Sequence, residues 1–110
     1  MTQDNKAINK MAQRVIEGYE AVHNKDFQRA KQLLEPISPL LHQEDKPNIT
    51  FLCYLAISQI GSKDIDPFLD TYEELQKYEI KNNKEQALKD RVEEMFHELM
   101  SAFQQTEQGE

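Results

Sequence analysis

The sequence predicts an all-α protein of about five helices, arranged as two antiparallel αα-hairpins followed by a C-terminal amphipathic helix. Three observations predict it. Ile49 to Ile60 is the one long stretch without charge, and its apolar residues fall on every side of a helical wheel, the pattern of a buried helix with neighbours on several faces. Outside that stretch the apolar residues recur at three- and four-residue spacing. The 110 residues include 30% charged residues, 3 glycines and no tryptophan, a profile that favours helices over sheet. A chain of this length forms one domain, expected to span residues 1–105, with 106–110 a polar, disordered tail. A plain closed helical bundle is the alternative architecture.

The first helix is expected from about Asp4 to His23, with Ile8, Met11, Ala12, Val15, Ile16, Tyr19 and Val22 in one apolar stripe. Asn24 and Lys25 make a short connection, and Asp26 caps a second helix carrying Phe27, Ala30, Leu33, Leu34 and Ile37. So short a loop makes the two helices antiparallel neighbours. Pro36 and Pro39 each lack an N–H and clash with the preceding turn, so the second helix should kink or end near Glu35. Leu40 and Leu41 call for burial in a further turn. Gln43 to Pro47 is the longest polar connection. Asn48 caps the central helix and Gly61 stops it. Asp66 followed by Pro67 signals the start of a fourth helix bearing Phe68, Leu69, Tyr72 and Leu75, with Tyr78 near its end. Asn83 with Gln86 resembles a capping box that opens the last helix, Lys84 to about Gln105, with Leu88, Val92, Met95, Phe96, Leu99 and Phe103 on one face.

The two hairpins repeat at an offset of 38 residues. Asp26, Phe27, Ala30 and Leu34 correspond to Asp64, Ile65, Phe68 and Tyr72; Gly18 corresponds to Ala56, and each turn ends in Lys-Asp. This pattern resembles the tetratricopeptide repeat: a small residue in the first helix, an acidic-aromatic pair at the turn, then a small and a large apolar residue in the second helix. Gly18, Asp26, Phe27, Ala30 and Leu34 carry the resemblance, which covers about residues 11–79. The second copy departs from it at Ile65 and Phe68. The family's tryptophan and late tyrosine are missing, and the spacing is longer than the usual ~34. The resemblance implies a concave face lined by the first helix of each unit. The residues so implied are Ala12, Ile16, Tyr19 and His23, then Cys53, Tyr54 and Ile57. Of these, Ile16, Tyr19, His23, Tyr54 and Ile57 are the expected partner-binding set. The competing reading is that the last helix covers this face and makes it core.

Side chains with chemical potential are few. Glu20 with His23 and Glu94 with His97 are Glu-x-x-His pairs, the element of bundle di-iron sites, but His97 and Glu94 fall opposite the apolar stripe of the last helix. His23 sits at a helix C-terminus, where a capping role suits it better than a ligand role. Cys53, on an apolar helix, reads as an inert core thiol. The sequence contains no phosphate loop, CxxC, HExxH or GxSxG motif. No catalytic residue, cofactor or metal is therefore expected, and the chain does not read as an enzyme.

Charge narrows the partners. The net charge is −7, and all of it lies after Lys46: seven basic and seven acidic residues precede Pro47, six basic and thirteen acidic follow. That balance argues against nucleic acid and anionic membrane. No stretch is long enough to span a bilayer. A single cysteine suits a reducing cytoplasm, and the polar N-terminus lacks a signal core. The expected function is a cytoplasmic interaction module, an adaptor, chaperone or regulator that binds a protein or peptide. The alternatives are an immunity or antitoxin protein that binds a basic toxin, and a homodimeric regulatory bundle.

Overall fold

The computed structural model describes the backbone of residues 2–108 and the side-chain surroundings of residues 6–104. The chain is all-α. Its elements are α1 (Thr2–His23), α2 (Phe27–Leu34), a 3-10 turn (Glu35–Ile37), the one-turn helix α3 (Ser38–Leu41), α4 (Ile49–Gly61), α5 (Ile65–Leu75) and α6 (Asn83–Gln108). The described residues contain no strand; an isolated bridge between Gln43 and Lys46 closes the tight turn before α4.

Helix α4 is the axis of the fold. Every residue from Phe51 to Ile60 is buried, and α2, α5 and α6 pack along it while α1 touches its flank. The Asn48 side chain accepts from the Phe51 N–H at 3.0 Å, satisfying one of the orphan donors of the first turn. Two buried polar side chains of α4 find partners: Ser58 Oγ donates to Leu55 O of its own helix at 2.7 Å, and Gln59 Nε2 donates across to Glu35 at 3.1 Å.

The two hairpin turns are near copies. Asn24, Lys25 and Asp26 donate their N–H groups to Glu20, Val22 and Ala21 carbonyls; Ser62, Lys63 and Asp64 donate to Ser58, Ile60 and Gln59, with all six distances between 2.8 and 3.1 Å. The partners are offset by 38 residues throughout. Lys25 and Lys63 both adopt φ 62°, the only positive φ values described. Gly61 therefore does not supply the left-handed residue expected of a helix stop; Lys63 does. Gly61 is small for a different reason: a Cβ there would lie 2.3 Å from the Phe27 ring. Gly18 likewise faces Leu34, with 2.5 Å available, so each glycine marks a close helix approach.

Other boundaries differ from the sequence reading as well, and α5 ends at Leu75, so Tyr78, expected near its end, lies beyond it. Helix α5 begins at Ile65, with Asp64 as N-cap and Pro67 inside the first turn, because the repeated turn places the cap at Asp64, two residues before Asp66. The cap of α6 is Asn82, which accepts from the Glu85 N–H at 2.9 Å, while Glu85 accepts from the Lys81 N–H at 2.8 Å. The reciprocal pair is thus one residue earlier than Asn83 and Gln86. Helix α6 also runs to Gln108, since Gln104 to Gln108 contains no breaker before Gly109. The rest of the expected tail, Gly109 and Glu110, lies outside the described residues.

Helix α6 follows α4 in the same direction. Leu88 lines a groove with Tyr54 and Ile57, and Leu99 lines another with Ile60 and Gly61. Phe96 packs against Phe68 and Tyr72 of α5, ring centroids 5.4 and 5.0 Å apart. Helices α1, α4 and α6 therefore run side by side toward the two hairpin turns. The result is elongated, 63 × 28 × 22 Å.

Candidate protein-interaction site

The expected binding residues are placed by α1 and α4. Tyr19 and Tyr54 stack with centroids 3.9 Å apart and planes 16° from parallel. His23 Nε2 lies 2.9 Å from the Tyr54 hydroxyl. Burial raises both tyrosine pKa values, and each ring's neighbours, Tyr54 and Cys53 for Tyr19 and Cys53 for Tyr54, push the same way; both phenols are neutral across the physiological range. Tyr54 and Ile57 form the floor of a narrow groove of 200 Å³ between the end of α1 and α6, walled by Val22, His23, Leu88 and Arg91.

The five residues do not make one open face. Tyr54 and Ile57 are only 6% and 3% exposed, because α6 lies along α4. Ile16 points away from this groove and is 50% exposed. Tyr19, His23 and Tyr54 are thus brought together as a stacked, hydrogen-bonded seam, Ile57 lies beside it in the groove floor, and Ile16 stands apart.

The larger apolar surface lies at the other end of the first hairpin, where the sequence reading put none. Ile8 and Met11 of α1 face Leu33, Ile37 and Leu40 across a groove of 620 Å³, rimmed by Lys10, Arg14 and Glu17. Ile8 is 58% exposed and Leu40 67%, so the expectation that Leu40 is buried fails. The cause is a length mismatch. Helix α1 has 22 residues and α2 has 8, so α1 rises roughly 33 Å against roughly 12 Å. Proline ends α2 early: Pro36 cannot donate to the Gln32 carbonyl, its partner four residues back. Arg14 takes that role from across the groove, donating Nη2 to Gln32 O at 3.0 Å and Nε to Leu33 O at 2.7 Å. The chain then folds through the 3-10 turn and α3, which presents Leu40 beside the unmatched half of α1. The sequence signal was available in the unequal helix lengths and the Pro36–Pro39 pair.

The remaining titratable groups are structural in their placement. Cys53 is fully buried, and burial first, with Glu85 adding to it, pushes its thiol up to about 12. Glu20, Glu94 and His97 are exposed, and Glu94 pairs with Arg91, so the two Glu-x-x-His pairs do not converge. His42 is part of a fixed cluster: its Nδ1 accepts from the Asn48 N–H at 3.1 Å, which leaves Nε2 to donate to Glu74 at 2.8 Å. Tyr78 donates to the same carboxylate at 2.6 Å, and Lys77 reaches it at 3.0 Å. These donors, Tyr78 first, lower the Glu74 pKa from 4.5 to about 2. The cluster pins the α3–α4 connection to the end of α5. Among the described residues, no helix is long and apolar enough to cross a membrane, and no three acidic, histidine or cysteine side chains form a metal-binding group. Comparison with protein-family models, curated proteins and solved structures returns no match for this chain.

Proposed function

We propose that this chain is a small protein–protein interaction module, and that its docking site is the groove between the first half of α1 and the α2–α3 arm. The observation that carries this reading is the exposure of Ile8 and Leu40, 58% and 67%, on facing walls of one concave surface. Large apolar side chains gathered in a groove and rimmed by polar groups mark interaction sites, and a helical partner segment suits a groove of this kind. The repeated hairpin turns support the tetratricopeptide-like character expected from the sequence, an architecture that serves adaptors, chaperones and regulators. The free thiol of Cys53 suits a reducing compartment such as the cytoplasm. The reading assigns no catalytic step, cofactor, metal, nucleic acid or membrane to the chain. The tyrosine seam then serves stability, joining the two hairpins under α6.

Site-specific photo-crosslinking in the native cell tests it. A benzophenone side chain at Leu40 or Ile8 is expected to give a discrete protein adduct. The same group at Gln28 or Glu73, exposed positions on α2 and α5, is expected to give none. Equal labelling from all four positions, or no adduct from the groove, counts against the site.

A further inference from the structure

The face of α6 that packs on the body continues past the body. Phe96, Leu99 and Phe103 recur at three and seven residues on one side of the helix, with Met100 beside them. Phe96 rests on Phe68 and Tyr72, and Leu99 lines a groove with Ile60 and Gly61 at the hairpin turns. Met100 and Phe103 have no such floor and are 42% and 51% exposed. At the helical rise, Phe103 sits about 6 Å beyond Leu99. A short apolar ridge therefore overhangs the turn end of the molecule. The groove opens at the opposite end, because Ile8 precedes His23 by roughly 22 Å along α1.

Charge matches the two ends. From Val92 to Glu110 the sequence holds Glu93, Glu94, Glu98, Glu107 and Glu110 and neither lysine nor arginine. From Met1 to Val15 it holds Lys6, Lys10 and Arg14 against Asp4 alone. One end offers an apolar ridge on the acidic end of α6; the other offers an apolar groove on the basic first half of α1, with Glu17 the acidic member of its rim.

We infer that the groove's occupant is the α6 end of a second copy of this chain, a conclusion that rests on the groove being a docking site at all. Two molecules laid antiparallel bring each ridge to the other's groove. Met100 and Phe103 of one copy meet Ile8, Leu33, Ile37 and Leu40 of its partner, twice over. A two-fold axis makes the two contacts equivalent and closes the assembly at two copies. The acidic end of α6 and the basic first half of α1 steer the encounter.

Light scattering of the full chain over a rising concentration series, with four proteins, tests the inference. The wild type is expected to reach the mass of a dimer, and to need a higher concentration to do so as salt screens the charges. Phe103→Asp and Leu40→Asp are each expected to stay monomeric with helical circular dichroism unchanged. An equimolar mixture of the two is expected to recover association, because the intact ridge of Leu40→Asp meets the intact groove of Phe103→Asp. Gln28→Asp is expected to dimerise like the wild type. A wild type that stays monomeric throughout, or a Phe103→Asp variant that dimerises as well as it does, overturns the second copy as occupant. The groove is judged separately: a Leu40 crosslink to a different protein would sink the dimer and leave the docking site standing, whereas no adduct from any groove position would remove both.

Discussion

Gly61 has no need of glycine's conformational range, since neither turn places a glycine at positive φ; it is small because the Phe27 ring occupies the space its Cβ would fill. Gly61→Ala is therefore expected to overpack this partly buried contact and cost about 1–3 kcal/mol, read as a shift in the denaturant midpoint. Truncating the opposing side chain in the double variant Gly61→Ala/Phe27→Leu should recover part of that loss, which an additive result would contradict. Glu74 gives a residue-scale prediction in pH. Its pKa is lowered from 4.5 to about 2 in the folded protein, so its contribution is fully present above the unfolded value. It is lost as pH falls through the window between those two values. Glu74→Gln should be less stable than the wild type at neutral pH and should lose less stability across that acid window. Parallel slopes for the two proteins in acid would mean that the Tyr78–His42–Lys77 cluster does not hold the carboxylate.

At the scale of elements, local chemistry made some parts legible and hid others. The central helix could be read because its uncharged run, the Asn48 cap and the polar flanks agree. The end of α2 could be read because Pro36 removes a specific hydrogen bond. The start of α5 was misplaced because two signals conflict. Asp66–Pro67 is a strong local start, but Asp64 occupies the position of Asp26 in the repeated turn, and its backbone carbonyl accepts from the Phe68 N–H at 3.2 Å. The tertiary turn prevails, and Lys31 Nζ holds the Asp64 side chain at 2.9 Å. Asp26 accepts from the Arg29 N–H, but the equivalent residue in the second turn is Pro67, which has no N–H to donate, so the Asp64 carboxylate makes no cap bond and is free to pair with Lys31. The left-handed residues, Lys25 and Lys63, were also hidden, because nothing in a lysine announces positive φ. They supply a test of the repeat. Lys25→Gly and Lys63→Gly should each stabilise the chain by about 0.5–1 kcal/mol, as relief of left-handed strain outweighs the added entropy of the unfolded state. A gain at one turn and a loss at the other would mean that the turns are equivalent in hydrogen bonding only.

For the whole molecule, the sequence announced amphipathic helices but not which apolar faces would find partners. Tyr54 and Ile57 were expected on a face that either α6 covers or a partner fills; α6 covers them, leaving a narrow groove. Ile8 and Phe103 lie in stripes that read as core, and Leu40 was expected in a buried turn, yet all three are exposed, with Met100 beside Phe103, because α1 outruns α2 at one end and α6 outruns α4 at the other. Helix lengths, not helix composition, decide that. The central claim is that the end groove is surface built for docking, while the tyrosine seam is core. Denaturant unfolding of Leu40→Asp and Tyr54→Ala, at a dilution where the chain is monomeric, tests it in one paired titration. Leu40→Asp is predicted to change stability by no more than about 0.5 kcal/mol, as exposed sites do, and Tyr54→Ala to cost about 3–5 kcal/mol, as large aromatic truncations in a core do. A loss of several kcal/mol from Leu40→Asp, with little from Tyr54→Ala, would contradict the account.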